Sequence, residues 1–166
     1  MRIKTISQKN NYLIRKANIK DLRDILRLNF YLFKKEHKEY DKTLNLRWTY
    51  LEGIKYFKDR ILKRTGFVEV AEINGKIIGY LSGGFSERLF YRKKINYAEA
   101  ENMFIEDKFR NIGIGTKLMK DFINWSKKNK INYISVIAFA KNEQSINFSR
   151  KLGFKDYNLV LEMKIK

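Results

Sequence analysis

The sequence predicts an α/β fold in which a central mixed, mostly antiparallel sheet carries helices on both faces. Three observations predict it. Two amphipathic helical patterns come early, Asn74-Gly75 joins two strand-like runs, and the second half of the chain alternates strand with helix.

Taken in order, Tyr12–Lys16 reads as a short strand. Asn18 then caps a helix whose apolar residues Ile19, Leu22, Ile25, Leu26 and Leu28 recur at helical spacing, running to about His37. A second helical pattern covers about Trp48–Lys63. Gly66–Ile73 and Lys76–Phe85 flank Asn74-Gly75, a dipeptide suited to a two-residue hairpin because both turn positions need positive φ. A polar and aromatic loop, Ser86–Lys94, precedes the strand Tyr97–Ile105. The turn Arg110–Gly115 leads into a helix with Leu118, Phe122 and Trp125 inward and lysines at its C-terminal end. Ile131–Phe139 is a nearly continuous apolar strand, Asn142–Leu152 a short helix, and Phe154–Met163 the last strand.

The chain has 166 residues with no proline, and no repeat or linker marks a boundary, so residues 1–166 read as one domain. Lys and Arg number 36 against 18 Asp and Glu, a net charge of +18. Such a field draws anions of every kind, and RNA or an acidic protein is a compatible partner. With no cysteine and one histidine, His37, there is no disulfide framework, no thiolate nucleophile and no His-pair metal site. No metal is expected. Chemistry here must run on carboxylates, hydroxyls, backbone amides or a bound cofactor. No apolar stretch reaches membrane-spanning length and the N-terminal stretch lacks a signal-like apolar run, which predicts a soluble, cytoplasmic protein, monomer or homodimer, without a membrane partner.

The most informative stretch is Arg110-Asn111-Ile112-Gly113-Ile114-Gly115-Thr116, between a strand and an amphipathic helix. Glycines there let the chain turn sharply and bring backbone N–H groups to an anion, with the helix dipole adding partial positive charge. Two better-known phosphate motifs fail on residues. The dinucleotide fingerprint needs a third glycine where Leu118 stands, and a P-loop needs Gly-Lys-Ser/Thr.

This stretch resembles the Arg/Gln-x-x-Gly-x-Gly/Ala signature of the GNAT superfamily of acetyl-CoA-dependent N-acetyltransferases. Asn142-Glu143-Gln144-Ser145-Ile146-Asn147-Phe148-Ser149-Arg150-Lys151-Leu152-Gly153-Phe154 is similar to the family's late helix, and Tyr12–Leu28, with Arg15 and Asp21, to its opening strand and helix. The resemblance covers the chain from about residue 12. It implies a GNAT-like fold with acetyl-CoA as co-substrate and an amine acceptor. Arg110, Asn111, Ile112, Gly113, Ile114, Gly115 and Thr116 would hold the pyrophosphate. The backbone of Met103, Phe104 and Ile105 would pair with the pantetheine arm beside a bulge, with Asn142 and Phe148 lining it from the other side.

An amine with a pKa of about 10.4 is unprotonated only once in a few thousand molecules at neutral pH, so the reaction needs a base. Glu99 and Glu101 lie at i, i+2 in the strand before the turn, and the family's base position matches Glu101. The family's helix carries a tyrosine that protonates the leaving thiolate; here Ser149 stands there, and Tyr133 and Tyr157 are other phenols that could serve. The expected activity is acetyl transfer to a primary amine: a protein N-terminus, a lysine, a polyamine or another small amine. The alternative is a catalytically weak, GNAT-fold basic module that binds nucleic acid. Trp48, Tyr50, Tyr56 and Phe57 border the acceptor site in such folds, with core packing as their main work, and His37 is read as solvated.

Overall fold

Asn18 sets the first corner of the molecule. In the computed structural model, which describes residues 12–87, 93 and 95–165, its side chain accepts from the Lys20 amide at 2.9 Å while Asp21 accepts from the Asn18 amide at 2.8 Å. This reciprocal cap turns strand β1 (Leu13–Lys16) through a 3-10 turn into helix α1 (Leu22–Glu39). Arg15 locks the corner by donating to both Asp21 oxygens at 2.7 and 2.9 Å. The second predicted helix is broken at Leu51. A 3-10 turn at Trp48–Tyr50 precedes α2 (Glu52–Leu62).

The hairpin forms as its turn residues require: Asn74 and Gly75 take φ of 49° and 76°, joining β2 (Gly66–Ile73) to β3 (Lys76–Phe85). Then come β4 (Tyr97–Ile105), α3 (Ile114–Lys128), β5 (Tyr133–Val136) and α4 (Glu143–Lys151). The five strands lie in the order β1-β2-β3-β4-β5, antiparallel except for the parallel β4–β5 pair. Alternation along the strands sorts side chains into two cores. Val68, Val70 and Tyr80 join α1 and α2 on one face, while Phe67, Ala71 and Leu81 join α3 on the other. Phe122 is fully buried there and contributes roughly 1.5–3 kcal/mol by that burial.

Two strands differ from expectation. β5 is four residues long rather than spanning Ile131–Phe139, and residues 154–165 form no strand, so the predicted Phe154–Met163 strand is absent. The cause is the same for both. β5 pairs only with Tyr97–Ala100 of β4, so past Val136 the apolar run has no ladder to join. The tail in turn joins no strand ladder among the described residues, and Leu159, Val160 and Leu161 stay open to the solvent at 75, 78 and 84%. The loop residues Arg88, Phe90, Tyr91 and Arg92 lie outside the described residues.

Candidate active site

The register of β3 against β4 jumps by one residue. Ser82 pairs with Asn102 and Gly83 with Ala100, which leaves Glu101 as the extra residue of a bulge. Glu101 and its sequence neighbour Asn102 therefore both turn toward the α1–α2 layer. There Arg60 grips both Glu101 oxygens, its Nε at 2.9 Å, and the Tyr56 hydroxyl donates to one of them. Asn102 Nδ2 donates to the Tyr56 oxygen at 3.2 Å. Burial first, and the Glu101 charge second, push the Tyr56 phenol up. Gly84 makes room for Arg60, since a Cβ there would stand 2.7 Å from Arg60 Nη1 and 2.5 Å from the Thr65 carbonyl oxygen. Among the described residues Glu101 Oε1 accepts from Arg60 Nη2 alone and so keeps acceptor capacity for one further donor.

Beyond the bulge the two parallel strands part. Their ladder ends at Ala100 opposite Val136, so Met103, Phe104 and Ile105 are paired with β3 on one side and face no strand on the other. An extended ligand with amide groups can complete such an edge. Phe104 turns its ring into the α1–α2 core, whereas Met103 and Ile105 pack on the α3 side. At the far end of α1, Tyr40 stacks on Phe139 at 5.5 Å, joining the α1 layer to the chain after β5 across the opening.

The glycine turn lies at the same opening. Gly113, with φ of 92°, is the N-cap of α3, and among the described residues no side chain caps that end, which leaves its first-turn amides as bare donors. Asn111 is also left-handed at φ 63°. Arg110 fixes the exit from β4, with Nε donating to the Ile105 carbonyl at 2.9 Å and Nη2 paired to Asp107 at 2.8 Å. A Cβ at Gly115 would meet Ile105 Cδ1 at 3.3 Å and Phe148 Cζ at 3.6 Å. This one position brings together the end of β4, the start of α3 and the late helix. Ile114 is buried beneath it, Ile112 and Thr116 are half-buried, and Gly113 is exposed. A diphosphate fits donors arranged this way.

On α4, Phe148 reaches the cradle and Ser149 is buried beside it. Asn142 caps the helix, its Oδ1 accepting from the Ser145 amide at 3.1 Å. Tyr133 stacks on Tyr97 at the joined end of the strands, away from the opening. Tyr157 is exposed. Sequence reasoning missed Arg60 as the partner of Glu101, Asn102 as a donor to the Tyr56 hydroxyl beside it, and Tyr40 at the opening. A clue to Arg60 was available, for it is a cation one turn past Tyr56 on an otherwise apolar helix face.

Parallel strands that part beside a glycine-led helix terminus, with a carboxylate at the bulge, form an opening whose free edge and amides suit an extended, phosphate-bearing ligand. Residues 19–154 match the acetyltransferase (GNAT) family, and the chain belongs to it. It is 32% identical over 152 residues to a Methanocaldococcus jannaschii protein named an uncharacterized N-acetyltransferase, covering 90% of this chain and 63% of that one. The chain thus spans under two thirds of that relative. A Sulfolobus acidocaldarius N-alpha-acetyltransferase is 22% identical over 159 residues, covering 92% of this chain and 85% of the relative. The fold is that of the aminoglycoside N-acetyltransferase AAC(6')-Iy solved in complex with CoA, with TM-score 0.75, 14% identity, and 97 and 99% of the two chains covered. Among the described residues no group of three His, Asp or Glu is placed to hold a metal, and no helix is long and apolar enough to cross a membrane.

Proposed function

We propose that residues 1–166 form one N-acetyltransferase domain that moves the acetyl group of acetyl-CoA to a primary amine by direct attack. The observation that carries this reading is the bulge, which sets Glu101 beside the parted strands at whose mouth the α3 amides stand bare. Acetyl-CoA supplies an activated thioester. The amine nitrogen bonds to the acyl carbon, the C–S bond breaks with its electron pair on sulfur, and the proton the amine loses reaches the thiolate by way of solvent.

In this reading Arg110, Asn111, Ile112, Gly113, Ile114, Gly115 and Thr116 hold the diphosphate, and the free edge of Met103, Phe104 and Ile105 holds the arm against Phe148 and Asn142. Glu101, oriented by Arg60 and Tyr56, takes the amine proton on the open side of Oε1, directly or through a water. Ser149 lines the site. A thiolate whose parent thiol has a pKa of about 8.5 leaves without a strong acid, so the serine is compatible with turnover.

Release of CoA thiol across amines, peptides and tRNA tests this. Glu101→Gln is expected to lower kcat/KM by about 10²-fold or more with acetyl-CoA affinity unchanged. Calorimetry showing no affinity for acetyl-CoA would defeat the proposal. The +18 charge favours the second reading, a nucleic-acid-binding module of this fold; salt-sensitive tRNA binding with no thiol release from any amine would establish that one instead.

A further inference from the structure

The inner face of α1 carries Asn29, Leu32, Phe33 and Glu36 at i, i+3, i+4 and i+7. The first three are accounted for as packing. Asn29 is fully buried, donating to the Tyr80 hydroxyl at 3.0 Å and accepting from the Thr49 hydroxyl at 2.8 Å. Leu32 packs against the core, and Phe33 stacks on Trp48 at 5.2 Å. Glu36 continues the stripe, half-buried, and its carboxyl has no hydrogen bond or ion pair among the described residues.

Half of the chain's 18 acids do have a cationic partner. Asp21, Asp24, Asp59, Glu72, Glu101, Glu106, Asp107, Asp121 and Asp156 each pair with an Arg or Lys. Glu36 is half-buried and, among the described residues, lacks the cationic partner that these nine have, a lack that Glu69 shares on the other face of the sheet. Position adds the second argument. α1 passes over Tyr80 of β3 and ends where Tyr40 stacks on Phe139 beyond β5, so Glu36, one turn before Tyr40, lies over the opening between β4 and β5. It is on the same side of the sheet as Glu101. Burial raises the Tyr80 and Tyr40 phenols first, and the Glu36 charge adds to that behind Tyr56 at Tyr80 and behind Glu39 at Tyr40.

We propose that Glu36 is a specificity-determining residue for the acceptor: it receives the second positive charge of a diamine or polyamine whose other amine is acetylated beside Glu101. The inference rests on the acetyltransferase reading and names its substrate class. Arg60 already matches the charge of Glu101, so Glu36 is the carboxylate with charge to spare for a ligand. An ammonium placed there supplies a partner that none of the described residues supplies, whereas a monoamine leaves the acid unpaired, and that difference is what discriminates. The net charge of +18 repels polycations, so a local acid is also what admits one. Lys35 on the same helix acts on Glu36, which acts in turn on Tyr80 from the sheet and on Tyr40 at the end of α1, where Glu39 and Arg110 also act. Burial pushes the Glu36 carboxyl up to about 7, so near neutrality a bound ammonium favours its ionised form.

The test compares putrescine and spermidine with butylamine in the wild type, Glu36→Gln and Glu36→Asp, following CoA thiol release. The wild type is expected to favour the diamines by about tenfold or more in kcat/KM. Glu36→Gln should remove that preference through a raised diamine KM, with kcat, butylamine kinetics and acetyl-CoA affinity unchanged, and Glu36→Asp should restore part of it. Equal use of butylamine and the diamines by the wild type, or a diamine preference that survives Glu36→Gln, overturns the proposal. Calorimetry of spermidine on the CoA-bound protein reads the site without turnover: binding lost in Glu36→Gln supports it, and no binding in the wild type overturns it. Failure of the acetyltransferase reading has a separate signature, the absence of both acetyl-CoA binding and thiol release with every amine.

Discussion

Glu69 has the opposite problem to Glu101. It faces α3 from β2, one of its oxygens is buried without a partner among the described residues, and Lys117 spends its charge on Asp121 at 2.6 Å. Burial first, and the Asp121 charge second, raise the Glu69 carboxyl from 4.5 to about 7. A raised acid binds its proton more tightly folded than unfolded. Its contribution to stability is therefore complete below pH 4.5 and is lost as pH climbs through about 7. Glu69→Gln keeps the shape and removes the titration, so thermal melts above pH 7 should show a gain of about 1–2 kcal/mol, discounted for partial exposure, or a few degrees in Tm. The gain should vanish at pH 4; an equal gain at both would assign the effect to packing. Single residues were also where the sequence was least legible. Only the family resemblance singled out Glu101 as a base, and Arg60 and Tyr56 meet it beside Asn102 because a bulge puts residues 101 and 102 on one face, which periodicity cannot reveal.

Elements governed by local rules were the legible ones. Asn74-Gly75 dictated its turn, Asn18 and Asp21 their cap, and the glycine turn with the apolar stripe of α3 followed from residue type and spacing alone. The late strands were not legible, because a strand needs a neighbour's edge and the apolar run at 131–139 says nothing about where β4 turns away. Gly113 isolates what the glycine turn contributes. A Cβ there has room, the nearest atom being the Tyr12 hydroxyl oxygen at 3.6 Å, so the cost of Gly113→Ala is conformational rather than steric. Holding alanine at φ 92° costs roughly 1–2 kcal/mol, and relief of that strain rotates the first amides of α3. The variant should remain folded with a slightly lower Tm and bind acetyl-CoA about five- to tenfold more weakly by calorimetry. Unchanged affinity would remove the α3 amides from the coenzyme site.

At the scale of the whole molecule, the net charge of +18 acts on two ligands of opposite sign. The long-range field favours acetyl-CoA, with its anionic phosphates, and opposes a polyamine, which gains only from carboxylates at short range. Salt separates these terms. Raising ionic strength from ~0.05 M to ~0.5 M shortens the Debye length from roughly 14 Å to roughly 4 Å, which screens the distant lysines while leaving partly desolvated contacts near Glu36 and Glu101 in place. The KM for acetyl-CoA should rise several-fold over that range while the KM for spermidine stays level or falls, as repulsion from the rest of the surface is removed. Parallel rises in both constants would mean that the acceptor also enters through exposed charge, and Glu36 would then lose its claim to select it.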